Sequence, residues 1–65
     1  MSIGTKIRCY REQQGLTQEQ LGRRCGLSRV SICKIENSRP ECLRLLTVVK
    51  VCSVLGVDLN SLLVS

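Results

Sequence analysis

Apolar residues recur along this chain at intervals of three and four, the spacing that places them on one face of an α-helix. No segment alternates apolar and polar residues as a half-buried strand does, so the pattern predicts an all-α fold. Ile3, Ile7 and Tyr10 share one face of a first predicted helix over residues 3–14, and Gly15 provides its C-terminal stop.

A second helix is predicted to begin at Thr17, which is followed three residues later by Gln20 in the pattern of a capping box. Leu21 and Cys25 lie on its inward face, and Gly26 suits the left-handed conformation in which many helices end.

A third helix follows at once, with Ser28 as its N-cap and Leu27 bridging the turn. Ile32 and Ile35 share its inward face. Two short helices joined by a glycine turn form a helix-turn-helix, the motif that places its second helix in the major groove of DNA. We therefore interpret residues 16–36, LTQEQLGRRCGLSRVSICKIE, as the functional centre of the chain.

The C-terminal part is predicted to contain two further helices. A loop over residues 37–42 holds the only proline, Pro40, and a fourth helix is predicted over residues 43–55. Gly56 ends that helix, and Asp58 can cap a short fifth one. The predicted core-facing stripe of the fourth helix consists of Val48, Val51, Cys52 and Leu55.

Chain length and charge restrict the possible functions. Sixty-five residues suffice for one domain near the lower size limit for an unaided core, so we expect a single domain over residues 1–65. Residues 1–44 carry nine basic and four acidic side chains, which accounts for the whole net charge of +5. Because the positive charge is concentrated in the half with the helix-turn-helix, a polyanionic partner is favoured.

The cysteines do not have the spacing of a metal site. Their number is odd, no CxxC pair occurs, and the chain has no His with which to complete a zinc site. We expect thiols that act as small apolar residues in a reducing cytoplasm, with no metal and no cofactor. A thiol switch at Cys33 is an alternative. The five residues are Cys9, Cys25, Cys33, Cys42 and Cys52.

Enzymatic, exported and membrane-spanning proteins are all disfavoured. The chain has no His and no acidic pair, and its thiols lack an activating base, so no catalytic site is expected. Residues 1–10 are polar and lack the apolar run of a signal peptide. The longest apolar stretch, residues 45–57, contains Lys50 and is too short to span a bilayer.

Several segments together resemble the Cro/CI-type helix-turn-helix family, also called the Xre family. The matching residues are Ile3-Gly4, Ile7-Arg8, Arg11, GLTQEQL over 15–21, Gly26-Leu27-Ser28, Ile32 through Glu36, and Val51-Cys52 with Leu55-Gly56-Val57. The resemblance implies a compact five-helix, lambda-repressor-like DNA-binding domain. It further implies a transcriptional regulator similar to small phage repressors and restriction-modification controller proteins, encoded by a bacterium or a phage.

One position departs from the family pattern. Residue 22 must be small because the two helices of the motif approach closely there, and the family usually has Ala where this chain has Gly22. Glycine costs about 1 kcal/mol of helix stability relative to alanine. We therefore expect the departure to affect stability more than function.

The resemblance also implies which residues contact double-stranded DNA. Arginine and lysine can donate hydrogen bonds to guanine, and valine can contact a thymine methyl. The residues implied to contact bases are Arg29, Val30, Ser31 and Lys34. Phosphate contacts, assisted by helix N-terminal amides, are expected for Gln18, Ser28, Asn37, Arg39 and Arg44. In addition, the family pairs an Arg in the first helix with a Glu ending the third, which implies a partly buried salt bridge between Arg11 and Glu36.

The C-terminal third is more apolar than one core requires, because thirteen of the 21 residues from 45 to 65 are aliphatic or Cys. We expect a homodimer whose recognition helices lie about 34 Å apart on a pseudo-palindromic operator. The expected interface residues are Leu46, Val49, Leu59, Leu62 and Leu63. Two alternatives stay open: these side chains close the core of one chain, or they bind another protein, as an antitoxin binds its toxin. No small-molecule effector is expected.

Overall fold

A computed structural model of the chain describes residues 2–38 and 44–63, and over these residues the secondary structure is entirely helical. The helices are α1 (Ile3–Gln13), α2 (Gln18–Cys25), α3 (Arg29–Glu36), α4 (Leu45–Leu55) and α5 (Leu59–Leu63). The predicted all-α fold with a helix-turn-helix at the second and third helices is therefore confirmed. The predictions for Arg39, Pro40, Cys42 and a helix start at residue 43 fall outside the described residues.

The predicted caps set the geometry of the helix-turn-helix. Thr17 Oγ1 accepts a hydrogen bond from the Gln20 amide at 3.1 Å, and Gln20 Oε1 accepts one from the Thr17 amide at 2.9 Å. Ser28 Oγ accepts a hydrogen bond from the Ser31 amide at 3.1 Å. Gly26 has a φ of 71°, in the left-handed region that favours glycine. The end of α2 and the start of α3 are thus fixed by local interactions.

The core is one cluster to which every helix contributes at least one side chain. Its buried apolar members are Ile7, Leu16, Leu21, Cys25, Ile32, Ile35, Val48, Val51, Cys52, Leu55 and Leu62. Leu62 is only 2% exposed, so its predicted place in a dimer interface is wrong. The physical reason is that α5 folds back and buries this side chain within its own chain. Leu59 also packs partly against the core.

Two glycines allow backbone segments to approach α3 and the turn before it. At Gly4 an added Cβ would overlap the carbonyl oxygens of Ile35 and Glu36, so α1 lies directly against the end of α3. At Gly22 an added Cβ would lie 2.7 Å from the Leu27 carbonyl oxygen. Residue 22 must be small, as predicted, but the glycine also permits a closer approach than an alanine would without a shift of the turn.

Side-chain hydrogen bonds connect α1 to the ends of the C-terminal helices. Gln14 Nε2 donates to the Leu55 carbonyl at 2.6 Å, which satisfies an acceptor at the end of α4. Lys6 Nζ donates to the Leu62 carbonyl at 3.2 Å. Helix α1 therefore supports both α3 and the C-terminal pair. None of the helices in the described part of the chain is long and apolar enough to cross a membrane.

Candidate nucleic-acid interface

The two faces of α3 differ sharply in chemistry. Ile32 and Ile35 are fully buried, whereas Arg29 and Lys34 are exposed. Val30 also lies on the outer side, where it is 61% exposed. A valine with this exposure among cations offers apolar contact to a partner rather than to the core of its own chain. Three of the four residues predicted to contact bases thus lie together on an accessible surface.

The fourth, Ser31, lies beside the helix start. Its amide donates to Ser28 Oγ, and the two hydroxyl groups lie 3.1 Å apart. Ser31 is half-buried, while Ser28 is exposed. Ser28 Oγ therefore caps α3 and also donates to Ser31 Oγ, so any DNA contact by either hydroxyl is made in addition to these bonds.

A buried ion pair holds the C-terminal end of α3. Arg11 Nε donates to Glu36 Oε2 at 2.6 Å, and Arg11 Nη2 donates to Glu36 Oε1 at 3.3 Å. The two side chains are 10% and 4% exposed, respectively. Arg11 Nη1 donates in addition to the Leu16 carbonyl at 2.6 Å. The salt bridge implied by the family resemblance is present, and it joins α1 to α3. Through its bond to Leu16, Arg11 also holds the turn that precedes α2.

The same carboxylate holds Gln18, a contact that sequence reasoning missed. Gln18 Nε2 donates to Glu36 Oε1 at 3.1 Å, and the amide is partly buried. Nothing in the sequence indicates this bond, because its two partners are eighteen residues apart on different helices. Gln18 is therefore both a residue expected to contact phosphate and part of a buried network.

An open groove of about 720 Å³ runs between the start of α2 and the outer side of α3. Its lining includes Arg8, Gln18, Arg29, Cys33 and Asn37. Cationic and amide donors beside a helix N-terminus are the groups that bind phosphate oxygens in proteins. The structure thus brings three of the predicted DNA-contacting residues, Gln18, Arg29 and Asn37, to one groove.

The remaining predicted phosphate contacts are less closely grouped. Arg44 is exposed at the N-cap of α4 and does not line the groove. Asn37, which does line the groove, is the C-cap of α3, and its Nδ2 donates to Cys33 Sγ at 3.5 Å. Arg39 belongs to the segment that the structure does not describe.

The buried thiols of Cys25 and Cys52 have raised pKa values. Burial raises the pKa of Cys25, an effect that the nearby Lys50 ammonium partly opposes. Burial also raises the pKa of Cys52, and Asp58 adds to that rise. Both thiols therefore stay protonated at neutral pH and act as core side chains. No group of three or more potential metal ligands comes together in the part of the chain that the structure describes.

Exposed apolar side chains lie on α4 and at the end of α5. Leu46 is 84% exposed, and Leu45, Val49 and Leu63 are exposed as well. Leu45 belongs to this surface although sequence reasoning did not select it. We call Leu45, Leu46, Val49 and Leu63 the apolar face, because they are the large exposed hydrophobic residues outside α3 in the described chain.

A glycine turn joins α2 to α3, and α3 has a basic outer side. The C-terminal end of α3 is held by the buried ion pair between Arg11 and Glu36. Together these features define a helix-turn-helix DNA-binding domain. Residues 7–62 match the helix-turn-helix family of the Cro/CI type, the Xre family. The chain belongs to this family, which confirms the resemblance found in the sequence. It accordingly contains a helix-turn-helix domain of a DNA-binding family.

The chain is also similar to a much longer protein. It is 31% identical over 62 residues to the glutamine–fructose-6-phosphate aminotransferase (isomerizing) of Methanocaldococcus jannaschii. The match covers 95% of this chain but only 6% of that relative. The similarity therefore extends to a domain-sized segment of the aminotransferase and to no more of it.

Proposed function

We propose that this protein regulates transcription by reading a specific sequence of double-stranded DNA through the major groove. The observation that carries the proposal is the outer side of α3, where Arg29, Val30 and Lys34 are exposed. The opposite side of this helix is packed in the core, and its end is held by the ion pair between Arg11 and Glu36. Arg29 and Lys34 can donate to guanine O6 and N7, and Val30 can pack on a thymine methyl. Ser31 lies at the edge of the same surface.

Phosphate contacts fix the register of α3 on the duplex. Gln18 and Asn37 line the groove beside α3, and the N-terminal amides of α2 lie at its rim. Ser28, Arg39 and Arg44 extend the contact along the DNA backbone in this proposal. These contacts supply much of the affinity but carry no sequence information.

A second copy of the chain completes the regulator. The apolar face is rich in leucine, as expected of a surface that is covered in the functional state. A two-fold homodimer formed there would present two α3 helices to successive major grooves about 34 Å apart, on a pseudo-palindromic operator. Leu59, which is partly buried, lies at the edge of this interface. The dimer acts in the cytoplasm of a bacterial or phage-infected cell, and protein concentration sets operator occupancy.

The apolar face also favours a second candidate function. An antitoxin-like module would cover Leu45 and Leu46 with a different protein instead of a second copy. Purification of the tagged chain from its native host separates the two functions, because a stoichiometric second protein appears only in this alternative.

Selection of duplexes from a random pool tests the proposed function. The selection is run at a low and at a high salt concentration, because attraction to phosphates weakens with salt while base recognition persists. The proposal predicts the same enriched sequence at both concentrations, arranged as two inverted half-sites. Enrichment of no sequence, with binding that disappears at high salt, contradicts it.

A further inference from the structure

We infer that Glu36 is a positioning residue for DNA binding: its carboxylate orients the Gln18 amide so that one N–H group faces a phosphate. The inference rests on the proposed function. It assigns Glu36 a task beyond its ion pair with Arg11, and this task depends on the bond between Gln18 Nε2 and Glu36 Oε1 at 3.1 Å.

The chemistry of the two groups dictates the orientation. An ionised carboxylate only accepts hydrogen bonds, whereas a glutamine amide has an NH₂ that donates twice and an oxygen that accepts. Glu36 therefore holds the nitrogen of Gln18 and excludes the flipped orientation, in which two oxygens would face each other. One N–H of Gln18 is used on Glu36, and the second remains for an acceptor in the groove that Gln18 lines.

Arg11 makes this arrangement compatible with an anionic partner. Its guanidinium donates to both Glu36 oxygens, so the carboxylate close to the groove is paired with a positive charge. Arg11 also donates to the Leu16 carbonyl, two residues before Gln18. The network therefore fixes the backbone that carries Gln18 and the side-chain amide together.

Preorganisation is the consequence for DNA binding. A free glutamine side chain loses rotamer entropy when it binds a phosphate, whereas Gln18 is already ordered by its bond to Glu36. The Glu36 carboxylate also polarises the amide, which strengthens the second N–H as a donor. Both effects pass through Gln18, so they vanish if that side chain is removed.

A double-mutant cycle on DNA affinity tests the inference. Gln18→Leu, Glu36→Gln and the double variant are titrated into a fluorescent duplex carrying the selected sequence, at a temperature where circular dichroism shows each to be folded. Each single substitution is expected to weaken binding about tenfold, the effect of losing one hydrogen bond to a charged group. The double variant is expected to bind no more weakly than Gln18→Leu alone. The matched control is Gln13→Leu, an exposed glutamine on α1, whose effect should simply multiply with that of Glu36→Gln.

Equal losses from Glu36→Gln with and without the Gln18 side chain overturn the inference, because they assign Glu36 a purely structural role. That outcome leaves the proposed function intact, since the wild-type chain still binds the selected duplex. Absence of any wild-type binding overturns both together.

A nuclear magnetic resonance measurement on the wild-type chain decides the matter if Glu36→Gln does not fold. The two Nε2 protons of Gln18 are expected to differ in chemical shift and in exchange rate more than those of Gln13. Addition of the duplex should change the chemical shift of the second Nε2 proton of Gln18, the one that is not bonded to Glu36. Gln18 protons that behave like those of Gln13, before and after DNA is added, overturn the inference.

Discussion

Arg11 Nε lies 2.6 Å from Glu36 Oε2, and together these two side chains join α1 to the last residue of α3. The pair lies behind the exposed side of α3, which is proposed to read DNA. The orientation of the recognition helix therefore depends on residues that are almost withdrawn from solvent. We therefore expect loss of this contact to affect both the stability of the fold and the proposed DNA binding.

Arg11→Met is predicted to lower the free energy of unfolding by about 3 kcal/mol, because it leaves the Glu36 carboxylate buried without a counter-charge. A small domain has a total stability of only about 3–5 kcal/mol, so most of it would be lost. Urea denaturation followed by circular dichroism measures the effect.

Two variants make that prediction specific. Arg8→Met breaks an exposed ion pair with Glu12, whose atoms are 3.6 Å apart, and should cost less than about 1 kcal/mol. The double variant Arg11→Met/Glu36→Leu should regain stability, since no lone charge remains in the core. Equal losses for Arg11→Met and Arg8→Met would contradict the proposed importance of the buried pair.

Gly4→Ala is predicted to destabilise the fold by about 1–3 kcal/mol, because the added methyl overlaps the carbonyl oxygens at the end of α3. Helix propensity alone predicts the opposite sign, a gain of about 1 kcal/mol. Thermal unfolding of Gly4→Ala beside Gln13→Ala, an exposed site on the same helix, measures the difference. A Gly4→Ala variant that melts above the wild type would show that α1 does not press on α3.

Alkaline pH is predicted to destabilise the fold through the buried thiols. Burial raises the pKa of Cys25 and of Cys52 above the ordinary value of 9.0. Below that pH both folded and unfolded chains hold these protons, so the contribution to stability is constant. Above it the unfolded chain releases protons that the folded chain retains, and stability falls as pH rises.

Urea denaturation between about pH 8 and about pH 10 measures this dependence. Cys25→Ala and Cys52→Ala should each reduce the loss of stability over that interval relative to the wild type. Cys33→Ala, which removes a half-buried thiol on α3, is the matched control. The explanation fails if all four proteins lose stability equally.

Leu46→Glu is predicted to weaken self-association without lowering the stability of the single chain, because Leu46 is 84% exposed. Sedimentation equilibrium over a range of protein concentrations measures the dissociation constant. Gln13→Glu places the same charge at an exposed position of another helix, α1, and should leave association unchanged. A wild-type chain that stays monomeric at every concentration would contradict the proposed homodimer.

Local features of the fold could be predicted from the sequence, whereas the packing of distant helices could not. The Thr17 cap, the Gly26 turn and the Ser28 cap each depend on neighbouring residues, and all three are present. The bond from Gln18 to Glu36 depends on how α2 crosses α3. Likewise, the burial of Leu62 depends on how α5 returns to α1, which no helical period specifies.

In the candidate site too, some features could be predicted from the sequence and others could not. The exposed side of α3 follows from its periodicity, since the buried positions of a helix determine the outward ones. Which donors share the groove was not predictable, because Arg8 and Asn37 meet there only through tertiary packing. The Arg11–Glu36 pair was expected from the family resemblance rather than from spacing.

Base analogues test whether α3 reads base edges in the major groove. In the selected duplex each thymine is replaced in turn by uracil, which lacks only the methyl, and each guanine by 7-deazaguanine, which lacks N7. Wild-type affinity should fall at particular positions, by up to about 1–3 kcal/mol at a guanine bound by Arg29 or Lys34. In the Val30→Ala variant, replacement of one particular thymine by uracil should no longer change the affinity. In Arg29→Ala or Lys34→Ala, replacement of one particular guanine by 7-deazaguanine should no longer change it. Affinity that no analogue alters, or a pattern shared by all variants, would contradict the claim.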